Sequence, residues 1–434
     1  MVSSSNDNIY ELYEKKFNVI YPDSTNATYS SLLNFSDEAG KPFQRWYRYK
    51  EGFSIALVKH LIKEYSTGKG MILDPFSGSG STILAAAQLG YEGIGFEVNP
   101  FSYFLSKCKL DSYTTDELHE YESTYKYIIE NAKVVKLEYD LPNLSVSHKV
   151  FNDNVEPYYM TVKQLISNAS LKHEKVRNLL KLGWLACIEE LSNYRKAGNG
   201  LKIRKYVKPR IITVDDAYYM LSNQYNIILR DLERTQLNIS YKLYNCTSLL
   251  MNRYITPGTI NGIIFSPPYA NCFDYTEIYK LELWFGDFVK EYVDLKELRK
   301  ESIRSHLNGN LEDIVVEKSD FLNNLIDKLD GIKLWDKKIP KMLNLYFNDM
   351  FKIIDESFTA LEDKGFCCIV VGNSAYGGVV FPTDLILADY AKNVGFYVDK
   401  IEVDRFIITS SQQYEITKDI GKFLRESVLC LIKK

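Results

Sequence analysis

Short apolar runs that stop at turn-forming residues alternate along this chain with longer stretches in which apolar positions recur every three or four residues. Met71-Ile72-Leu73, Gly93 to Glu97, Ile239 to Tyr244, Ile263-Ile264-Phe265, Phe366 to Val371, Lys400 to Ile407 and Ser427 to Ile432 read as strands. Helical periodicity runs from about Glu117 to Lys136 and again from His173 to Tyr194, where Val176, Leu179, Leu180, Trp184, Cys187, Ile188 and Leu191 form one stripe. That stripe is read as core. Further helices are predicted from Val214 to about Leu232, up to Lys364-Gly365, and from Pro382 to Gly395, the last with Pro near its first turn and Gly past its end. Strands alternating with helices predict an α/β, doubly wound sheet.

Two of the strand ends carry candidate chemistry. Asp74-Pro75-Phe76-Ser77-Gly78-Ser79-Gly80 follows the Met71 strand and leads into a helix of small residues from Thr82. Gly78 and Gly80 lack a Cβ, so a ligand can lie against the turn and meet the first N–H groups of the helix. Alone, such a turn is as consistent with plain structure as with a ligand. Nineteen residues past Gly78, however, a second strand ends in Glu97, where a carboxylate can hold the hydroxyls of a ribose.

The second is Ser266-Pro267-Pro268-Tyr269, closing the Ile263 strand. Two prolines cannot donate to a sheet and fix their own φ, so the chain leaves the sheet in a set shape. Such a turn can aim the Ser266 side chain and the Pro267 carbonyl at one point, two acceptors suited to the hydrogens of an exocyclic NH₂. Tyr269 can then lie on the base that carries it. An isolated Pro-Pro-Tyr would more simply be a loop with a buried Tyr cap.

Together, Asp-Pro-Phe-x-Gly-x-Gly, the acid-ended strand and Ser-Pro-Pro-Tyr resemble the S-adenosylmethionine-dependent DNA methyltransferases that modify exocyclic amines, the cytosine-N4 and adenine-N6 enzymes. The resemblance extends to Trp46 through Ser54, where such enzymes carry a further cofactor-contacting segment that includes Phe53, and to Phe366 through Ser374, the strand after the catalytic one. It implies seven strands, the last antiparallel, in a Rossmann-like methyltransferase sheet with helical insertions. It also implies S-adenosylmethionine as cofactor, with Asp74, Pro75, Phe76, Gly78, Gly80 and Glu97 around it, and Ser266, Pro267, Pro268 and Tyr269 as the catalytic segment. Related enzymes often carry an acid before the acceptor strand, where this chain has the neutral Asn245-Cys246-Thr247.

Composition narrows the setting. No apolar run approaches the roughly 18 residues of a membrane span, and Met1 to Asn8 lacks the basic and apolar regions of a signal peptide. A cytoplasmic location and no membrane partner are expected. Seven scattered cysteines without a Cys-x-x-Cys pair and five dispersed histidines argue against a metal site. The net charge of −3 means that any nucleic-acid surface must be local. The densest basic stretch, Arg195 to Arg210, has seven cations, including Arg195, Lys196, Lys202, Arg204 and Lys205, and no acid. Two glycines and an asparagine in it predict a loop, either solvated or gripping DNA phosphates.

The two motifs stand 186 residues apart, from Gly80 to Ser266, far more than an alternating fold needs. The expected organisation is an arm over 1–40, a cofactor-binding half over 41–113, an inserted helical region over 114–236 as candidate DNA-recognition domain, and a catalytic half over 237–434 with a helical insertion at about 287–340. Within that second insertion, Leu298 to His306 could face either phosphates or solvent.

The chemistry the resemblance implies is direct methyl transfer to the amine of a base turned out of double-stranded DNA, most simply cytosine N4, because within that family Ser at the first acceptor position is commoner in cytosine-N4 enzymes and Asp in adenine-N6 ones. An adenine-N6 enzyme, an RNA amine methyltransferase and a noncatalytic recognition subunit are the alternatives, and a cognate restriction endonuclease is a candidate companion. Carbon-5 cytosine chemistry would need a cysteine nucleophile, typically after proline, and the chain has no Pro-Cys dipeptide.

Overall fold

The order in which the strands lie side by side sets the position of everything else. The computed structural model describes residues 7–22, 38–50, 52, 54–198, 200–204, 211–235, 239–313, 315–316, 318–407 and 418–434. Among these are β1 (Val19–Ile20), β2 (Met71–Asp74), β3 (Glu92–Phe96), β4 (Tyr194–Ala197), β5 (Gly200–Ile203), β6 (Tyr241–Tyr244), β7 (Ile260–Phe265), β8 (Leu361–Gly372), β9 (Ser374–Tyr376), β10 (Val379–Phe381), β11 (Phe396–Phe406) and β12 (Arg425–Lys433). Eight form one sheet in the order β1-β11-β12-β8-β7-β2-β3-β6. All its pairings are parallel except those of β12, which runs antiparallel to both β8 and β11. The expected doubly wound sheet with an antiparallel last strand is present, and the short edge strand β1 raises the expected seven strands to eight.

Both faces of the sheet are buried, which is why its strands are apolar without alternation. Ile72, Ile264, Cys368 and Val370 face one hydrophobic cluster, while Leu73, Ile263, Phe265, Cys367 and Ile369 face the other. Helices Ile339–Ala360 and Thr383–Val394 pack in the second cluster. The first cluster also contains the stripe Val176, Leu179, Leu180, Trp184, Ile188 and Leu191. The inserted region therefore shares a core with the sheet. Asp231, on helix Val214–Arg234, strengthens that attachment by accepting from Phe43 N (3.1 Å), Trp46 Nε1 (3.0 Å) and the Arg45 guanidinium.

Several boundaries differ from expectation for identifiable reasons. Residues 7–22 are no free arm: helix Asp7–Glu14 buries Tyr10, Val19 and Ile20 pair with β11, and Glu14 bonds the buried Arg425 at 2.6 Å. β8 starts at Leu361 instead of Phe366, because Leu361 pairs with Ile260 before a register shift. The basic stretch is also no loop where it is described. β4 and β5 form an antiparallel hairpin in which Arg195 faces Lys202 across the strands and Gly198 turns at φ 58°. Gly198 and Gly200, read as part of a loop, lie at the hairpin's turn and at the start of β5.

Winding direction reverses once. From β2 the chain builds outward through β3 to β6, then returns to place β7 on the other side of β2 and β8 beyond it. Ile72 pairs with Gly262 and Leu73 with Ile263, so the glycine turn after β2 and the Ser-Pro-Pro-Tyr turn after β7 leave the same edge of neighbouring parallel strands. This is the switch point at which open α/β sheets form their ligand crevice.

Candidate functional site

The turn after β2 is held open by hydrogen bonds from within. Asp74 Oδ1 accepts from Phe76 N at 2.9 Å, and Gly78 and Gly80 adopt φ of 50° and 79°, which side chains rarely tolerate. A Cβ on Gly78 would come within 3.3 Å of the Tyr49 ring. From the end of β3, Glu97 reaches back with both oxygens: Oε2 accepts from Gly78 N (2.8 Å) and Oε1 from Asn99 N (2.7 Å). Burial pushes the Glu97 carboxyl up to about 8 against the pull of these N–H groups, and burial likewise pushes Asp74 up to about 7. Beneath the turn, the buried Lys109 ammonium donates to Ser79 O and Gln44 Oε1, and burial lowers it to about 7.

These residues line a cleft with about 1000 Å³ of empty space, open solvent at its mouth included. Asp74, Pro75, Phe76, Gly78 and Glu97 form one wall, Ser266 and Pro268 another. Gly80, Pro267 and Tyr269 are not part of its surface. Gly80 caps helix Ser81–Gln88 behind the turn, and the Tyr269 ring lies over Gly372, where a Cβ would come within 2.8 Å. The Tyr269 hydroxyl donates to Glu426 Oε1 at 2.6 Å and receives Ser266 Oγ at 3.4 Å; Arg405 bonds the other Glu426 oxygen at 2.6 Å. The acceptor turn is thereby tied to β12. Phe53 lies outside the described residues.

Several residues of the cleft lie outside the fixed positions of the motifs. Ser77 Oγ and Asn99 Nδ2 are buried there and take no hydrogen bond among the described residues, which leaves a donor and a hydroxyl for a polar ligand. Asn99 could have been noticed as an N-cap before Pro100; Ser77 offered no such signal. The neutral segment contributes Cys246, Thr247 and Ser248 to the wall, while Asn245 turns away to bond Glu97 O at 2.8 Å. A nucleoside fits this chemistry, with backbone approach at Gly78, a carboxylate at Glu97 and unpaired polar atoms between them.

The segment from Leu298 to His306 turns most of its residues inward, with Lys300 and Glu301 exposed. Leu298, Glu301, Ser302, Ile303, Ser305 and His306 close the cleft. Its two arginines are engaged internally, Arg299 with Asp274 (3.1 Å) and Glu277 (2.7 Å) and Arg304 with Asp349 and Asp313.

The basic hairpin divides into an inward and an outward face. Lys196 is buried in an ion pair with Glu282 (2.6 Å) and also bonds the Tyr47 hydroxyl, while Lys50 Nζ donates to Gly198 O at 2.7 Å. Arg204 bonds the Tyr194 and Glu189 carbonyls. Both were expected at phosphates and are instead anchors, Lys196 through groups distant in sequence and Arg204 through carbonyls that the hairpin fold brings beside it. Arg195 and Lys202 are exposed. Lys205 lies outside the described residues. Among the described residues no helix is long and apolar enough to cross a membrane, and no group of His, Cys, Asp and Glu is arranged to hold a metal ion.

Comparison with known proteins agrees with the geometry. Residues 5–107, which include the glycine turn and Glu97, match the family model for N6/N4 DNA methylases. The Type II methyltransferase M.BsoBI of Geobacillus stearothermophilus is 28% identical over 440 residues, covering 89% of this chain and 85% of its own. M.AvaI of Nostoc sp., also a Type II methyltransferase, is 26% identical over 407 residues, covering 86% and 83%. M.MvaI of Kocuria varians, again a Type II methyltransferase, is 23% identical over 356 residues, with 74% of each chain covered.

Proposed function

We propose that this chain is an S-adenosylmethionine-dependent exocyclic-amine DNA methyltransferase that methylates cytosine N4 at a specific site in double-stranded DNA, the base being turned out of the duplex. The observation that carries this reading is that the Gly78 turn and Ser266 line one cleft at the ends of adjacent parallel strands. A donor held by the first lies beside an amine held by the second. Ser at the first acceptor position favours cytosine over adenine.

When bound, S-adenosylmethionine supplies an electrophilic methyl group on a sulfonium. The residues of the chain do the rest. Glu97 accepts from the ribose hydroxyls, and the Gly78 turn gives the nucleoside close approach. An aromatic amine is a poor nucleophile because its lone pair is spread into the ring. Ser266 accepts a hydrogen from it and draws the nitrogen towards tetrahedral geometry, while Pro267 and Tyr269, the latter packed on Gly372 and bonded to Glu426, hold the shape of the acceptor turn. Alignment of two bound reactants can contribute roughly 7–11 kcal/mol of the barrier reduction. Arg195 and Lys202 grip the phosphate backbone, and the inserted helical region 114–236 carries site recognition. A restriction endonuclease of the same specificity is the expected companion, given Type II relatives, and the shared compartment is the cytoplasm.

Labelled S-adenosylmethionine offered with duplex DNA, single-stranded DNA or RNA tests this. Label in duplex DNA is expected; label only in RNA would replace the reading with RNA methylation, and none in any would leave a recognition subunit.

A further inference from the structure

The wall that closes the cleft is fixed to the acceptor turn more firmly than a mobile insertion would be. Ser305 O accepts from Cys272 N at 3.1 Å, three residues past Tyr269. Arg299 binds Asp274 ahead of this segment, and Arg304 binds Asp349 through its backbone N (3.0 Å) and Nε (2.9 Å). Directly after these anchors His306, only 4% exposed, lines the same cleft as Ser266 and Pro268.

Its Nδ1 is buried and takes no hydrogen bond among the described residues; Asp274 Oδ2 lies 3.9 Å away, beyond hydrogen-bond reach. Asp274 already accepts from Thr276, Asn308 and Arg299. A buried ring nitrogen left without a partner is costly and rare, and here it stands in the wall of a ligand cleft. Burial lowers the imidazole pKa, with Arg299 adding to the effect and Asp274 and Glu277 opposing it. At neutral pH the ring is uncharged, with one N–H to give.

Resting on the amine-methylation reading above, we propose that His306 donates a hydrogen bond to the ring nitrogen beside the target amine, so that the extruded base is read from the second insertion as well as from the acceptor turn. That atom is N3 in cytosine and N1 in adenine, an acceptor in both. In thymine, uracil and guanine the corresponding nitrogen carries a hydrogen and sits beside a carbonyl. With its N–H turned to the base, His306 favours amino bases over keto bases, whose own ring N–H would face that donor unless the imidazole changed tautomer.

The test uses the full-length protein and a duplex whose methylated base, once located by sequencing, is replaced by its deaza analogue, with carbon for that ring nitrogen. Wild-type kcat/KM for DNA should fall about tenfold on the analogue, the usual cost of one unpaired buried group. His306→Phe should fall by a similar factor on the natural duplex, lose nothing further on the analogue, and keep its affinity for S-adenosylmethionine. His306→Asn, which retains a donor, should recover part of the loss. Full activity of His306→Phe, or an analogue penalty as large in the variant as in the wild type, would overturn the proposal. If His306→Phe does not fold, an unchanged wild-type rate on the analogue overturns it alone. Absence of any methyl transfer by the wild type to the natural duplex is a separate result, which removes the underlying reading.

Discussion

Gly78 donates its backbone N–H to Glu97 Oε2 at 2.8 Å across nineteen residues of chain. One carboxylate thus braces the glycine turn and stands at the end of β3 where a ribose would lie. Removing it therefore affects both the turn and the ligand.

The protonation of Glu97 should be visible in cofactor binding. Burial raises its pKa to about 8, so below that pH the free protein holds it largely protonated, and ribose hydroxyls favour the ionised form. Affinity for S-adenosylmethionine should rise as pH increases from 6 to about 8 and level off above. For the free fold the sign is opposite: a carboxyl whose folded pKa lies above its unfolded value of about 4.3 contributes stability at low pH that is lost as pH rises through 8. Calorimetry across this range should show Glu97→Gln binding weakly at every pH, with the rise abolished. A Glu97→Gln protein with wild-type affinity would remove Glu97 from the site.

Chemistry and binding should separate at the acceptor turn. Ser266→Ala deletes an amine acceptor and should lower kcat by roughly tenfold to a hundredfold, in the range of removing one group aimed at a developing charge. Tyr269→Ala should lower turnover at least as much. Neither residue belongs to the donor wall, so S-adenosylmethionine affinity should stay within about twofold in both. Methylation at the parent rate by Tyr269→Ala would mean that the acceptor turn keeps its shape without the Tyr269 ring and its bond to Glu426.

On the hairpin, neighbouring cations should behave differently. Arg195→Ala with Lys202→Ala should weaken binding to cognate and unrelated duplexes alike and lower the salt slope by about 0.9 per lost contact. Lys196→Ala should instead lower thermal stability, because it leaves the buried Glu282 without its cation. Equal salt slopes in the Arg195/Lys202 variant and the parent would show a merely solvated face.

The division of that hairpin marks where sequence reading stopped. Gly78, Glu97 and Ser266 were legible because each chemical group sits at the end of a strand and within one local motif. The Lys196 and Glu282 pair spans 86 residues and left no local signal. Arg304 with Asp349 and Cys272 with Ser305 are likewise long-range pairs, so a mixed-charge segment that looked equally suited to phosphate or solvent became the wall of the cleft. The doubly wound sheet and its antiparallel last strand followed from alternation and resemblance. The inserted region's share in the core did not, since helical periodicity says that a face is buried and not against what.

Asp231 should be among the most sensitive positions outside the cleft. It is 1% exposed and accepts from Phe43 N, the Arg45 guanidinium and Trp46 Nε1. Asp231→Ala strands these donors and should cost roughly 3 kcal/mol of stability in a denaturant titration. A change below about 0.5 kcal/mol would mean that the Asp231 network contributes little to holding the inserted helices to the cofactor-binding half.

The central claim, transfer to an exocyclic cytosine amine, is tested most directly by the chemical identity of the product. Duplex DNA methylated by the purified protein with isotopically labelled S-adenosylmethionine, digested to nucleosides and analysed by mass spectrometry, should carry the label in N4-methyldeoxycytidine. Label in N6-methyldeoxyadenosine would keep the site and change the base, whereas label in 5-methyldeoxycytidine, or no label in DNA, would contradict the account.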